Sequence, residues 1–351
     1  MVTTTTRARN PTSPFPSSSS SSPLAMAAGP PPAGFFSFLK HGVLVPARGR
    51  GIFLPLLALT AALAGALLLA NSLAVQPRAV DVLLDADALS RADPASAAYP
   101  KLVRRFRHDL RSLLVDAASC VAAAVVAGSA IKIATVFAAV AAFSVSGDGD
   151  GGGERRATVS GFLAAAKGNL WGPVVTIAFG YILEVVCVAA IVAMAMLMVP
   201  LLEYSLLLLF LDAMAVLLAA LFLVYLTVVC AVALAVSAAE PGKRGAGAVS
   251  RAWRLMSGKN AQAVVYVVAT FALAAAVSPV YTLALRWWPR SAPAGAAAGV
   301  AYVLLLGAVE VFSVAAVTAY YFECRESKQA EEDMAVGHHY TKLPNGDEAN
   351  I

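Results

Sequence analysis

Three residues could do chemistry where chemistry is costly: Lys132, Glu184 and Glu310, each deep inside a long apolar run. A charged side chain at the centre of a bilayer costs about 2.5–3.5 kcal/mol on insertion scales, so such groups pair, face water or hold a proton. Lys132 lies 11 residues before Phe143, Glu184 lies 12 after Gly172 and Glu310 lies 12 before Phe322, so all three share one depth from the same side. Groups at one depth can meet inside a bundle. Two carboxylates and one ammonium leave one carboxylate in excess, which can take up a proton or a cation. The same residues also suit a purely structural Lys–Glu pair.

A second constellation is AVSRAWRLMSGKN, Ala248 to Asn260. Val249, Trp253 and Met256 follow i, i+4, i+7, which is one face of a helix. Arg251 and Arg254 fall off that face, and Gly258 can end the helix in the left-handed conformation a C-cap needs. Arg251, Trp253, Arg254 and Lys259 are therefore candidate headgroup-binding residues of a short interfacial helix. A fainter copy, TVSGFLAAAKGNL, begins at Thr158. A shift of ninety matches Val159 with Val249, Ser160 with Ser250 and Gly168 with Gly258. In YPKLVRRFRHDLRSLL, Leu102, Phe106, Leu110 and Leu114 recur every four residues with basic residues opposite. That pattern predicts a helix lying in the headgroup plane and feeding a span.

These residues need elements to hold them. The 351-residue chain is 59% hydrophobic and 13% charged, against about 45–50% and about 25% for soluble domains. The excess is gathered in runs longer than the roughly 20 residues a bilayer requires. The expected fold is all-α, a polytopic transmembrane helix bundle of about six spans with short amphipathic interfacial helices. The spans are read as 52–75, 113–143, 171–199, 205–238, 261–285 and 295–322. The break between the third and fourth is placed at Val199-Pro200, since proline removes a donor and disfavours helix in the residue before it. Residues 1–45 and 326–351 are read as disordered tails around a membrane domain, 46–325.

Sixteen Lys and Arg flank one face of this topology and nine the other, which places both termini in the cytoplasm by the positive-inside rule. The membrane is expected to be the plasma membrane or an endomembrane. The Ser-, Thr- and Pro-rich residues 1–34 leave a plastid membrane as the alternative. The four cysteines have no metal-ligand spacing, and no disulfide framework, metal site or cofactor is expected. The net charge of +5 serves topology and lipid headgroups rather than nucleic acid. No nucleophile–base pair appears, so an enzyme is not expected.

The stretch AEPGKRGAGAVSRAWRLMSGKN and the closing AYYFECRES resemble an uncharacterised plant family of six-span membrane proteins. That family is distantly similar to the membrane region associated with bacterial glycerophosphodiester phosphodiesterases. The resemblance covers about residues 35–325 and implies membrane residence. The bacterial enzymes carry catalysis in a separate soluble domain with acidic and His metal ligands, and this chain has none to match. The functional expectation is a non-enzymatic membrane protein that organises lipids or partner membrane proteins. The alternative is a small-solute or ion transporter using Lys132, Glu184 and Glu310.

Overall fold

A computed structural model describes residues 36–93, 96, 98–146, 170–240, 242–288 and 291–340, with backbone alone for 145–146, 199–204 and 333–340. The described residues are helical throughout, without strands. In chain order the helices are α1 (Ser37–Arg48), α2 (Arg50–Ala70), α3 (Gln76–Arg91), α4 (Tyr99–Ser146), α5 (Trp171–Tyr204), α6 (Leu206–Ala239), α7 (Ala246–Met256), α8 (Asn260–Trp287) and α9 (Ala292–Tyr340). Six stretches are long and apolar enough to cross a membrane. The fold is an all-α multi-pass bundle.

Several boundaries differ from expectation for physical reasons. The α5 helix runs through Pro200 to Tyr204, and the chain breaks at Ser205 instead. Membrane helices tolerate proline because their surroundings can re-satisfy the freed backbone groups. Ser205 takes an extended conformation (φ −167°, ψ 129°), and its hydroxyl accepts the Leu207 N–H, capping α6. The α2 and α3 helices are joined by a π-helical turn, Asn71–Val75, in which Gln76 N–H donates to Asn71 O. Pro77 follows directly and has no N–H to offer Leu73, so the ladder widens by one residue.

The tail boundaries also shift. Residues 37–45, read as disordered, belong to α1, and α9 continues through 326–340. The α1 helix is amphipathic and docks on α9. Phe38 is 0% exposed, its ring 5.8 Å from that of Tyr320. Gly42 permits the approach, since a Cβ there would stand 2.8 Å from the Ala316 Cβ. Ser37 donates to the Glu323 carboxylate. Residues 1–34, the expected copy at Thr158–Asn169 and Thr341–Ile351 lie outside the described residues.

The core lies at one end of the bundle, where α1, the end of α4, the start of α5, the end of α6, α7, the start of α8 and the later part of α9 converge. Phe143 and Phe322 stack there at 5.4 Å, and Lys259 Nζ donates to Glu323 O at 3.1 Å. Val229, Val232, Val236, Ala252, Met256, Ala316 and Tyr321 are each fully buried at this end. The opposite end is splayed. Leu206, Leu207, Phe210 and Leu211 of α6 and Met196 and Leu197 of α5 are all exposed, as apolar side chains facing lipid would be.

Candidate functional site

Lys132, Glu184 and Glu310 come from α4, α5 and α9 and line one crevice of about 220 Å³. Lys132 Nζ lies 3.4 Å from Glu310 Oε1, with the two side chains 46% and 40% exposed, so the pair faces an open space rather than a sealed core. Glu184 makes no hydrogen bond or ion pair among the described residues.

Helical periodicity builds the rest of the walls. Ile177, Gly180, Tyr181 and Glu184 form an i, i+3, i+4, i+7 stripe on α5, as do Thr227, Cys230, Ala231 and Leu234 on α6 and Glu310, Ser313, Val314 and Val317 on α9. Tyr266 of α8 and Lys132 and Val136 of α4 complete the lining. Gly180 lets α5 close on α6, because a Cβ there would touch Cys230 Cβ and Sγ at 3.5 Å.

Polar and apolar residues are sorted by depth. Toward the tight end, the crevice has a floor of Val136, Leu234 and Val317, which are 4%, 6% and 4% exposed. Above the floor stand the charges and a set of hydroxyls. Tyr266 and Ser313 share a hydrogen bond of 2.5 Å, and the Ser129 hydroxyl lies 3.4 Å from that of Tyr181. Below it, Thr176 donates to Gly172 O at 2.9 Å and accepts the Gly245 N–H at 3.0 Å, clamping the start of α5 to the turn before α7. Buried side chains thus close the crevice toward the end that carries α1.

Residues 169–338, a little under half of the chain, match a family model described as "Domain of unknown function (DUF8558)". No curated protein and no solved structure matches the chain. The matched stretch contains Glu184 and Glu310, the hydroxyl set of α8 and α9 and the α7 helix; Lys132 lies before it.

The candidate headgroup residues fare differently from the trio. The α7 helix exists as expected and is closed by Gly258 at φ 99°, but its buried face is Ala248, Ala252, Leu255 and Met256. Trp253, read with Val249 and Met256 as one apolar face, parts from Met256: it is 45% exposed and meets Tyr225 edge-on at 5.2 Å. Alanine packs closer to a neighbouring helix than tryptophan does, so the small residues took the inside. Arg251 faces Glu240 at 3.8 Å, and Lys259 is held by Glu323 O. Only Trp253 and Arg254 remain directed outward.

The basic segment Tyr99–Leu114 is the beginning of α4 and is continuous with the span that follows. Its apolar residues Leu102, Val103, Phe106 and Leu110 are half-buried where α4 packs on α3. Arg105 pairs with Asp85 at 3.3 Å, and Arg78 pairs with Asp116. The segment is one arm of a two-helix hairpin, not a separate helix lying in the headgroup plane. In α9, Gly295 packs on the Trp288 backbone, Gly299 faces open space, and the close approach between spans falls at Gly307, against Leu57.

Among the described residues, no group of three or more His, Cys, Asp and Glu could hold a metal ion.

Proposed function

We propose that this chain is a membrane carrier for a small polar solute or ion, which binds in the crevice beside Lys132, Glu184 and Glu310. The observation that carries the reading is the convergence of these groups, from three helices distant in sequence, on one crevice closed at one end by apolar side chains. A purely structural ion pair needs no access from outside the bundle, although sealing it would also cost the hydration of both ions. This pair is left open. A site accessible from one side at a time is what alternating access requires.

The Lys and Arg distribution supports termini in the cytoplasm. Purified chain reconstituted in liposomes should accumulate a solute from a panel of ions, amines and small acids. Glu184→Gln and Glu310→Gln should each abolish that uptake. Uptake unchanged in both variants, or absent for every solute tested in the wild type, would remove the proposal.

A second reading, headgroup organisation, is favoured by the adjacent outward placement of Trp253 and Arg254 at the tight end. It expects Arg254→Ala to weaken retention of anionic lipid in purified protein without changing folding.

A further inference from the structure

We infer that the occupant of the crevice is a monovalent cation, either an alkali metal ion or a small primary ammonium, and that Glu184 supplies the charge that holds it. This rests on the crevice being a binding site, as proposed above, and adds the sign of its ligand.

The argument is one of charge. Glu184 from α5 and Glu310 from α9 face the crevice, Lys132 is its sole cation, and α6 and α8 contribute no ionised group to the lining. Lys132 is engaged by Glu310 at 3.4 Å, which leaves the Glu184 carboxylate unpaired. Lys132 also acts on Glu184 from beyond contact distance, but a carboxylate in a low-dielectric span with no ion pair of its own remains unfavourable until a cation or proton joins it. The surrounding groups suit a cation as well. Tyr181, Thr227, Tyr266 and Ser313 present hydroxyl oxygens whose lone pairs can replace part of a hydration shell. An anion would have to displace Glu310 from Lys132 and tolerate Glu184 nearby. The volume of about 220 Å³ has room for a small, partly hydrated ion.

This inference predicts effects of opposite sign. Removing either carboxylate leaves a balanced site, whereas removing Lys132 leaves two carboxylates in excess. Full-length protein in neutral detergent would be titrated with sodium, potassium and methylammonium chloride by isothermal calorimetry, with sodium replaced by choline in the buffer and acetate as the anionic control. Glu184→Gln and Glu310→Gln should each weaken binding of the preferred cation at least tenfold. Lys132→Met should tighten it at least tenfold. A gain in affinity cannot come from a protein that fails to fold, so Lys132→Met decides the case. Binding lost or unchanged in Lys132→Met, or acetate bound in place of the cations, would overturn the inference. The two proposals can fail separately. If uptake is found for an anionic solute, transport stands and the cation assignment falls. If the variants shift cation binding as expected but nothing crosses the liposome membrane, the site stands and transport falls.

Discussion

At the scale of the residue, the Lys132–Glu310 pair joins α4 to α9 across the crevice. Breaking a fully buried pair costs about 3–5 kcal/mol, but this one is open on one side and its cost should be lower. Lys132→Met and Glu310→Gln should each destabilise the folded protein by about 1–2 kcal/mol, and the double variant should recover part of that loss. Thermal unfolding of the four proteins in one detergent closes the cycle. Additive losses would mean that the 3.4 Å contact does not couple the helices. Lys132, Glu184 and Glu310 were legible in the sequence because a charge inside an apolar run is costly and therefore conspicuous. Tyr266, Ser313 and Cys230 were not, because neutral polar residues are inexpensive in a membrane helix and carry no comparable signal. The one hint was spacing: Ser313 follows Glu310 by three residues and Tyr181 precedes Glu184 by three, each pair on one face.

At the scale of the element, the turn between α6 and α7 depends on Gly245. Its backbone sits at φ 51°, ψ −123°, a region that L side chains rarely adopt, and a Cβ there would stand 3.4 Å from Val175 Cγ1. Gly245→Ala should cost about 1–3 kcal/mol in strain and loosen the Thr176 contact. Thr176→Val should cost less, since it removes the hydroxyl acceptor without straining the turn. Thermal unfolding of the two variants checks the order, and Gly245→Ala at wild-type stability would show that the turn adapts freely. Helix existence and approximate bounds were legible in the sequence because long apolar runs between Gly- and Lys-rich turns leave few alternatives. The buried face of α7 was not legible, because periodicity grouped Val249, Trp253 and Met256 and gave Ala248 and Ala252 little weight. The docking of α1 was not legible: Gly42 gains meaning only when Ala316 is opposite it, some 270 residues later in the chain.

At the scale of the whole molecule, stability is distributed unevenly, and the crevice lies where the distribution changes. In α6 the segment from Leu226 to Ser237 is almost wholly buried, while Leu206 to Phe222 of the same helix exposes most of its large side chains. The α6 helix packs on α5 and also meets α4, α7 and α9, and its residues in their shared core lie from Val228 to Val236. Opening of the outer α5–α6 hairpin should therefore cost little, and opening of the tight end should approach global unfolding. Hydrogen exchange in detergent should show amides of 226–237 and 311–324 exchanging at least tenfold more slowly than those of 206–222, although all are helical. A cation that bridges Glu184 to the other walls would narrow this difference by slowing exchange in 180–190 and leaving 311–324 unchanged. Uniform protection along α6 would mean that the bundle is equally rigid at both ends. A carrier alternating about the crevice would then need its flexible half elsewhere, since the floor of Val136, Leu234 and Val317 could part only if the tight end itself opened.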